Sequence, residues 1–155
     1  MLRIIIFSAF LFMANSAWAQ VWATAISENE SEGKAIIYRF VKEFRKGFAR
    51  SSQPDRVIIV WRYQGKKGMP SLEERGRMDT LEDTLALAVE EFSTLALVST
   101  GDNLKEWTYY TRKEDEFLER LNLALRDLPR FPIEIHAAPD PSWTTYERFA
   151  AGLTE

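Results

Sequence analysis

No cysteine occurs among the 155 residues, which removes disulfides, thiolate metal sites and thiol nucleophiles together. A single histidine, His136, leaves one imidazole for any relay of the Ser-His-Asp kind, and no G-x-S-x-G elbow accompanies it. Excess positive charge is also missing. Twenty basic residues face 23 acidic ones for a net charge of −3, so the chain has no electrostatic footprint for a polyanion. No phosphate-cradling glycine loop is present, and Thr100-Gly101-Asp102 is a turn signal. The longest apolar run, Ile4 to Met13, is about half of the roughly 20 residues a spanning helix needs.

That short run has a different meaning at the start of a chain. Arg3 gives a positive n-region, Ile4 to Met13 an apolar h-region, and Ala17-Trp18-Ala19 an A-x-A cleavage signal before Gln20. Residues 1–19 are expected to be a signal peptide, and residues 20–155 a single exported α+β domain, periplasmic or secreted, with no stable membrane anchor after cleavage. Arg3 is the only charge in the leader, so its removal leaves the mature chain one unit more acidic. A domain of that length buries a real core without cross-links.

Hydrophobic patterning then sets the elements. Val21 to Ser27 and Lys34 to Val41 are β-branched and aromatic runs around an acidic turn, which predicts an N-terminal hairpin. Lys42 to Arg56 is a loop with a basic cluster and a proline break at Pro54; such clusters are usually solvated surface. Val57 to Tyr63 begins with four consecutive β-branched residues, the pattern of a strand buried on both faces. Ser71-Leu72-Glu73-Glu74 is a capping box opening a helix whose stripe runs Met78, Leu81, Leu85, Ala88, Val89, Phe92.

Leu95 to Thr111 predicts two strands folded back at Gly101-Asp102-Asn103. Thr111 to Glu114 forms a second possible capping box, before a helix with Phe117, Leu118, Leu121, Ala124, Leu125 and Leu128 on one stripe and Pro129 at its end. Phe131 to Ala137 alternates as a half-exposed edge strand, with Pro132 unable to donate to a ladder. Asp140-Pro141 predicts the start of a short last helix carrying Trp143, Tyr146, Phe149 and Leu153 on one face. From Val57 to Ala137 the order is β-α-β-β-α-β, the ferredoxin-like order of an antiparallel sheet with two helices on one face, extended by the N-terminal hairpin and followed by a short C-terminal helix.

An ordered set of short motifs carries a resemblance. Trp61-Arg62-Tyr63, Gly68-Met69-Pro70-Ser71, Ser99-Thr100-Gly101, Glu106-Trp107 with Tyr109-Tyr110, Phe131-Pro132-Ile133 and Asp140-Pro141-Ser142-Trp143 with Tyr146 resemble the bacterial family catalogued as domain of unknown function 695, from about Trp22 to Phe149. The resemblance implies an α+β fold and brings no catalytic residues. The family also resembles, distantly, the ribonuclease E inhibitor protein B group, whose members act by binding a protein.

Chemistry read from the residues is sparse. His136, Glu134 and Asp140 are the one set that could be drawn as a metal site; one imidazole and two carboxylates on a strand more commonly form plain surface. Glu73-Glu74, Glu82-Asp83 and Glu90-Glu91 look like solvated helix faces. Strand alternation with Ile58 and Val60 toward the helices puts Trp61 and Tyr63 on the other face. Trp107 and Tyr109 can share that face, with Trp143 above it. Such an aromatic platform stacks bases in RNA-recognition modules, but the glycine-bearing pattern of those modules is missing here and the chain is acidic. Either the last helix covers the platform as a second aromatic core, or the platform binds a protein, peptide or glycan. The expectation is a non-enzymatic exported binding module that uses Trp61, Tyr63, Trp107, Tyr109 and Trp143, with a protein or peptide partner, no nucleic acid and no cofactor. A small envelope hydrolase using carboxylates is the alternative, and a single-stranded nucleic-acid binder the third.

Overall fold

The computed structural model describes residues 5–7 and 19–153; the remaining residues of the expected signal peptide lie outside the described residues. Among the described residues there are seven strands and three α-helices: β1 Ile5–Phe7, β2 Val21–Asn29, β3 Lys34–Glu43, β4 Asp55–Arg62, α1 Leu72–Val89, β5 Ser93–Gly101, β6 Leu104–Thr111, α2 Glu114–Leu125, β7 Ile133–Pro139 and α3 Thr144–Gly152. The strands form one sheet in the order β1-β2-β3-β5-β6-β4-β7, and every neighbouring pair is antiparallel. The fold is α+β. The expected hairpin is β2–β3, and it extends the sheet past β5, with Phe40 opposite Leu97.

β4, the run of β-branched residues, lies between β6 and β7. Its position follows from its composition, since only an interior strand hides apolar side chains on both faces. β7 forms the far rim. Its Ile133, Ile135 and Ala137 pack on the core while Glu134 and His136 are exposed, the alternation expected of an edge. The β5–β6 hairpin turns through Asp102 (φ 50°) and Asn103 (φ 64°), the two positive dihedrals of a type I′ turn, whose twist matches the flanking strands.

Three local expectations are corrected. Ser71 does cap α1, its Oγ accepting from the Glu74 amide at 3.1 Å. Glu74 does not reach back to close the box, however: its carboxylate accepts the Trp61 indole N–H at 2.9 Å. The second capping box is not formed. Thr111 belongs to β6, where its hydroxyl accepts from Ser93 at 2.8 Å. The first amide of α2, that of Glu114, instead donates to Asp55 of β4 at 3.0 Å, a cap that is remote in sequence. The last helix begins at Thr144 rather than at Pro141. Asp140 still caps it across the intervening turn, accepting from the Thr144 and Thr145 amides at 2.7 and 3.1 Å.

Two apolar layers flank the sheet. Val57, Ile59, Trp61 and Tyr63, Val98, and Trp107 and Tyr109 form one cluster with Met78, Leu81, Leu85 and Val89 of α1 and Phe117 and Leu121 of α2. α3 packs elsewhere. Phe149 and Leu153 lie on Ala23, Ala25, Phe40 and Leu97, while Trp143 and Tyr146 lie on Ala96 and Tyr110. Tyr109 and Tyr110 are neighbours in β6 and go to different layers, as pleating requires. Burying a side chain of this size contributes about 1.5–3 kcal/mol, so both layers matter to stability.

Candidate functional site

The expected aromatic platform is not a surface. Trp61, Trp107 and Trp143 are at most 1 % exposed, and Tyr63 and Tyr109 at most 6 %. The parity is the reverse of that read from the sequence: Val57, Ile59, Trp61 and Tyr63 face α1 and α2, and Trp107 and Tyr109 join them in that layer. Ring polarity explains the choice. Both indoles need an acceptor once buried, and α1 supplies both, Glu74 to Trp61 and Glu82 to Trp107 at 2.7 Å. Tyr63 donates to the Gly68 carbonyl at 2.8 Å, and desolvation raises its pKa to about 12. These four residues are core.

The covered platform is the other one. Trp143 stacks on Tyr110 with ring centroids 3.8 Å apart and planes at 6°, and its indole N–H donates to the Gln53 carbonyl at 3.0 Å. Its φ of 54° is an uncommon backbone state for a bulky residue, costing on the order of 1–3 kcal/mol; stacking and full burial hold it there. Tyr110 donates to Asp140 at 2.8 Å. Burial works against ionisation of Asp140, but the Thr145 and Thr144 amides and the Tyr110 hydroxyl outweigh it, and its carboxyl stays below the ordinary value. Asp140 is therefore committed to α3 and not to His136, whose neighbour is exposed Glu134 at 3.6 Å. Arg50, from the basic loop, lies over Phe44, Trp143 and Tyr146 and pairs with Glu147. Part of that loop's charge is structural rather than free surface.

One site remains open. Where the β2–β3 hairpin extends the sheet beyond α1, a cleft of about 560 Å³ runs between hairpin and helix, within the size range of small-molecule sites. Trp22, Arg39 and Arg45 form one wall, Glu82, Asp83 and Glu90 the other, and Thr94, Leu95 and Tyr109 line it from β5 and β6. Arg39 stands opposite Val98 in the ladder, which puts it in the α1 layer. There it pairs with Glu82, and its guanidinium lies 5.5 Å from the Trp22 ring centroid. Glu82 thus receives Trp107 on one oxygen and Arg39 on the other. Beside this pair, Lys105 lies 4.9 Å from the Trp107 ring centroid; burial lowers its pKa and Glu82 acts in the opposite sense.

One group beside the cleft is unfinished. The hydroxyl of Tyr109, on a residue 2 % exposed, has no hydrogen-bond partner among the described residues; that of Thr94 has none either, but Thr94 stands opposite Tyr110 and so belongs to the α3 layer. A buried polar atom left this way costs about 1–3 kcal/mol, and native structures keep few of them. Burial also raises the pKa of Tyr109, which keeps it a neutral donor.

Tyr109 is the only residue of the expected site that lines the cleft. Arg39, Glu82 and Trp22 were not marked by the sequence reading. The available signal was an arginine set between Tyr38 and Phe40 inside an otherwise β-type run. Glu82 gave none, because Glu82-Asp83 has the look of any solvated helix face. No curated protein and no solved structure matches the chain. The model of the family of unknown function DUF695 matches residues 20–150, and the chain belongs to that family.

Proposed function

We propose that this protein is an exported, non-enzymatic binding module, and that the cleft between the β2–β3 hairpin and α1 holds its ligand. Its scaffold is a ferredoxin-like unit, β4-α1-β5-β6-α2-β7, with both helices on one face; the spatial order β5-β6-β4-β7 supports that reading. Export rests on the leader pattern of residues 1–19. The ligand is small and polar, neutral or zwitterionic. Two arginines and three carboxylates nearly balance around the cleft, and the unpartnered Tyr109 hydroxyl beside it is a further donor.

The observation that carries the proposal is the buried, unpartnered hydroxyl of Tyr109 beside an otherwise polar cleft. A ligand group that accepts from it would recover the energy the free protein forgoes. Binding rather than catalysis is favoured because both oxygens of Glu82, the one cleft carboxylate that is not exposed, are already engaged, and Asp83 and Glu90 are exposed to water. The test is a thermal-shift screen of monosaccharides, disaccharides and amino acids against wild type and Tyr109→Phe. A compound that raises the melting point of the wild type and not of the variant supports the site. No shift with any of these compounds, or equal shifts in both proteins, counts against it.

A further inference from the structure

The two rims of the sheet are built differently. β7 follows Pro132, ends at Pro139 and carries exposed Glu134 and His136, residues that discourage further pairing. β2 carries such a residue only near its end, at Glu28. From Trp22 to Ser27 it holds neither a charge nor a proline, and only a register shift at Val21/Trp22 disturbs its ladder with β3. An unguarded strand presents a row of free backbone donors and acceptors to any extended chain. In the structure this edge is taken: Ile5 stands opposite Ile26, Ile6 opposite Ala25 and Phe7 opposite Thr24, antiparallel. Next to the same strand, Ala25, Ile26, Tyr38, Phe149 and Leu153 line a largely apolar groove of about 330 Å³.

We infer that the outer edge of β2 is a strand-addition site for an extended, uncharged, apolar segment of a partner protein, and that Ile5–Phe7 occupies it in the chain that keeps residues 1–19. Main-chain hydrogen bonds supply the affinity of such a site, and the neighbouring groove supplies selectivity for apolar side chains. The antiparallel pairing of Ile5–Phe7 is itself a sample of the backbone geometry recognised. The polar cleft is lined by different residues, so the two sites stand or fall separately.

The probe is a synthetic peptide of residues 3–9 added to the chain of residues 20–155, which contains every residue of the three apolar clusters. Saturable binding is expected, with amide exchange from Ala23 to Ile26 slowed about tenfold or more. Proline in place of the peptide's Ile6 removes a backbone donor, and a lysine at the edge, Ile26→Lys, acts as the missing guard. Each is expected to weaken binding about tenfold or more. The full-length chain, its edge already filled, is expected to take up little peptide. Absent binding, or binding indifferent to the proline peptide, overturns the inference. So does a 20–155 chain that protects the same amides by self-association and ignores the peptide, because the edge is then a contact between copies. Equal uptake by the full-length chain overturns the role given to Ile5–Phe7.

Discussion

Tyr109 and Tyr110 are adjacent, alike and almost fully buried, yet removal of their hydroxyls is expected to have opposite effects. The Tyr109 hydroxyl has no partner among the described residues. Tyr109→Phe keeps the ring against Phe117, 5.1 Å away between centroids, and removes an unsatisfied polar atom. The folded state is expected to gain on the order of 1 kcal/mol, a rise in melting temperature of about 3 °C for a chain of this size. The Tyr110 hydroxyl donates to Asp140 and accepts from the Tyr146 amide. Tyr110→Phe leaves a buried carboxylate oxygen and an amide short of a partner, at a cost of about 1.5–3 kcal/mol. Paired urea denaturation at neutral pH reads both effects, with unchanged m-values showing that the denatured state is not responsible. If Tyr109→Phe destabilises as much as Tyr110→Phe, its hydroxyl has a partner in the free protein, and the argument for an unfinished site is wrong.

Asp140 holds its proton less readily when folded than its ordinary value of 3.8 implies. Its contribution to stability is therefore complete above that value and lost as pH falls through the lower, folded one. Asp140→Asn is expected to flatten the acid limb of a urea midpoint series between about pH 5 and pH 2.5. At the other extreme, the Tyr63 pKa is raised to about 12, so its contribution persists below the ordinary value of 10 and drains as pH rises toward 12; Tyr63→Phe should lessen the alkaline loss of stability measured by circular dichroism. Gly101→Ala would place a Cβ 2.3 Å from the Ala35 carbonyl oxygen, forcing β3 and β5 apart at a cost on the order of 3 kcal/mol, visible as a fall in urea midpoint. Trp143→Ala is expected to cost about 3–5 kcal/mol and to expose the Tyr110 face, measured by denaturation and by tyrosine fluorescence.

The elements that were legible in the sequence are those governed by local rules. Val57–Val60 pointed to an interior strand because four β-branched residues in a row fit few other places. Gly101-Asp102-Asn103 marked a turn because its positive dihedrals need those residue types. What was not legible depended on partners remote in the chain. The capping boxes failed in part because Glu74 has a better use under Trp61 and because Asp55, a whole helix-strand-strand unit away, caps α2. The aromatic parity failed for a related reason. Alternation fixes which residues share a face but not which face meets the helices, and that choice was made by carboxylates on α1. The cleft was invisible because it exists only where the hairpin overhangs the helix, a matter of strand order rather than of any motif.

The most direct test of the cleft as a ligand site is an amide NMR titration of the wild-type protein and Tyr109→Phe with the compound that gives the largest thermal shift. The account predicts saturable shifts at Arg39, Glu82, Thr94 and Tyr109 in the wild type, weakened about tenfold or more in the variant. Shifts centred on other residues, or identical titrations of the two proteins, would contradict it.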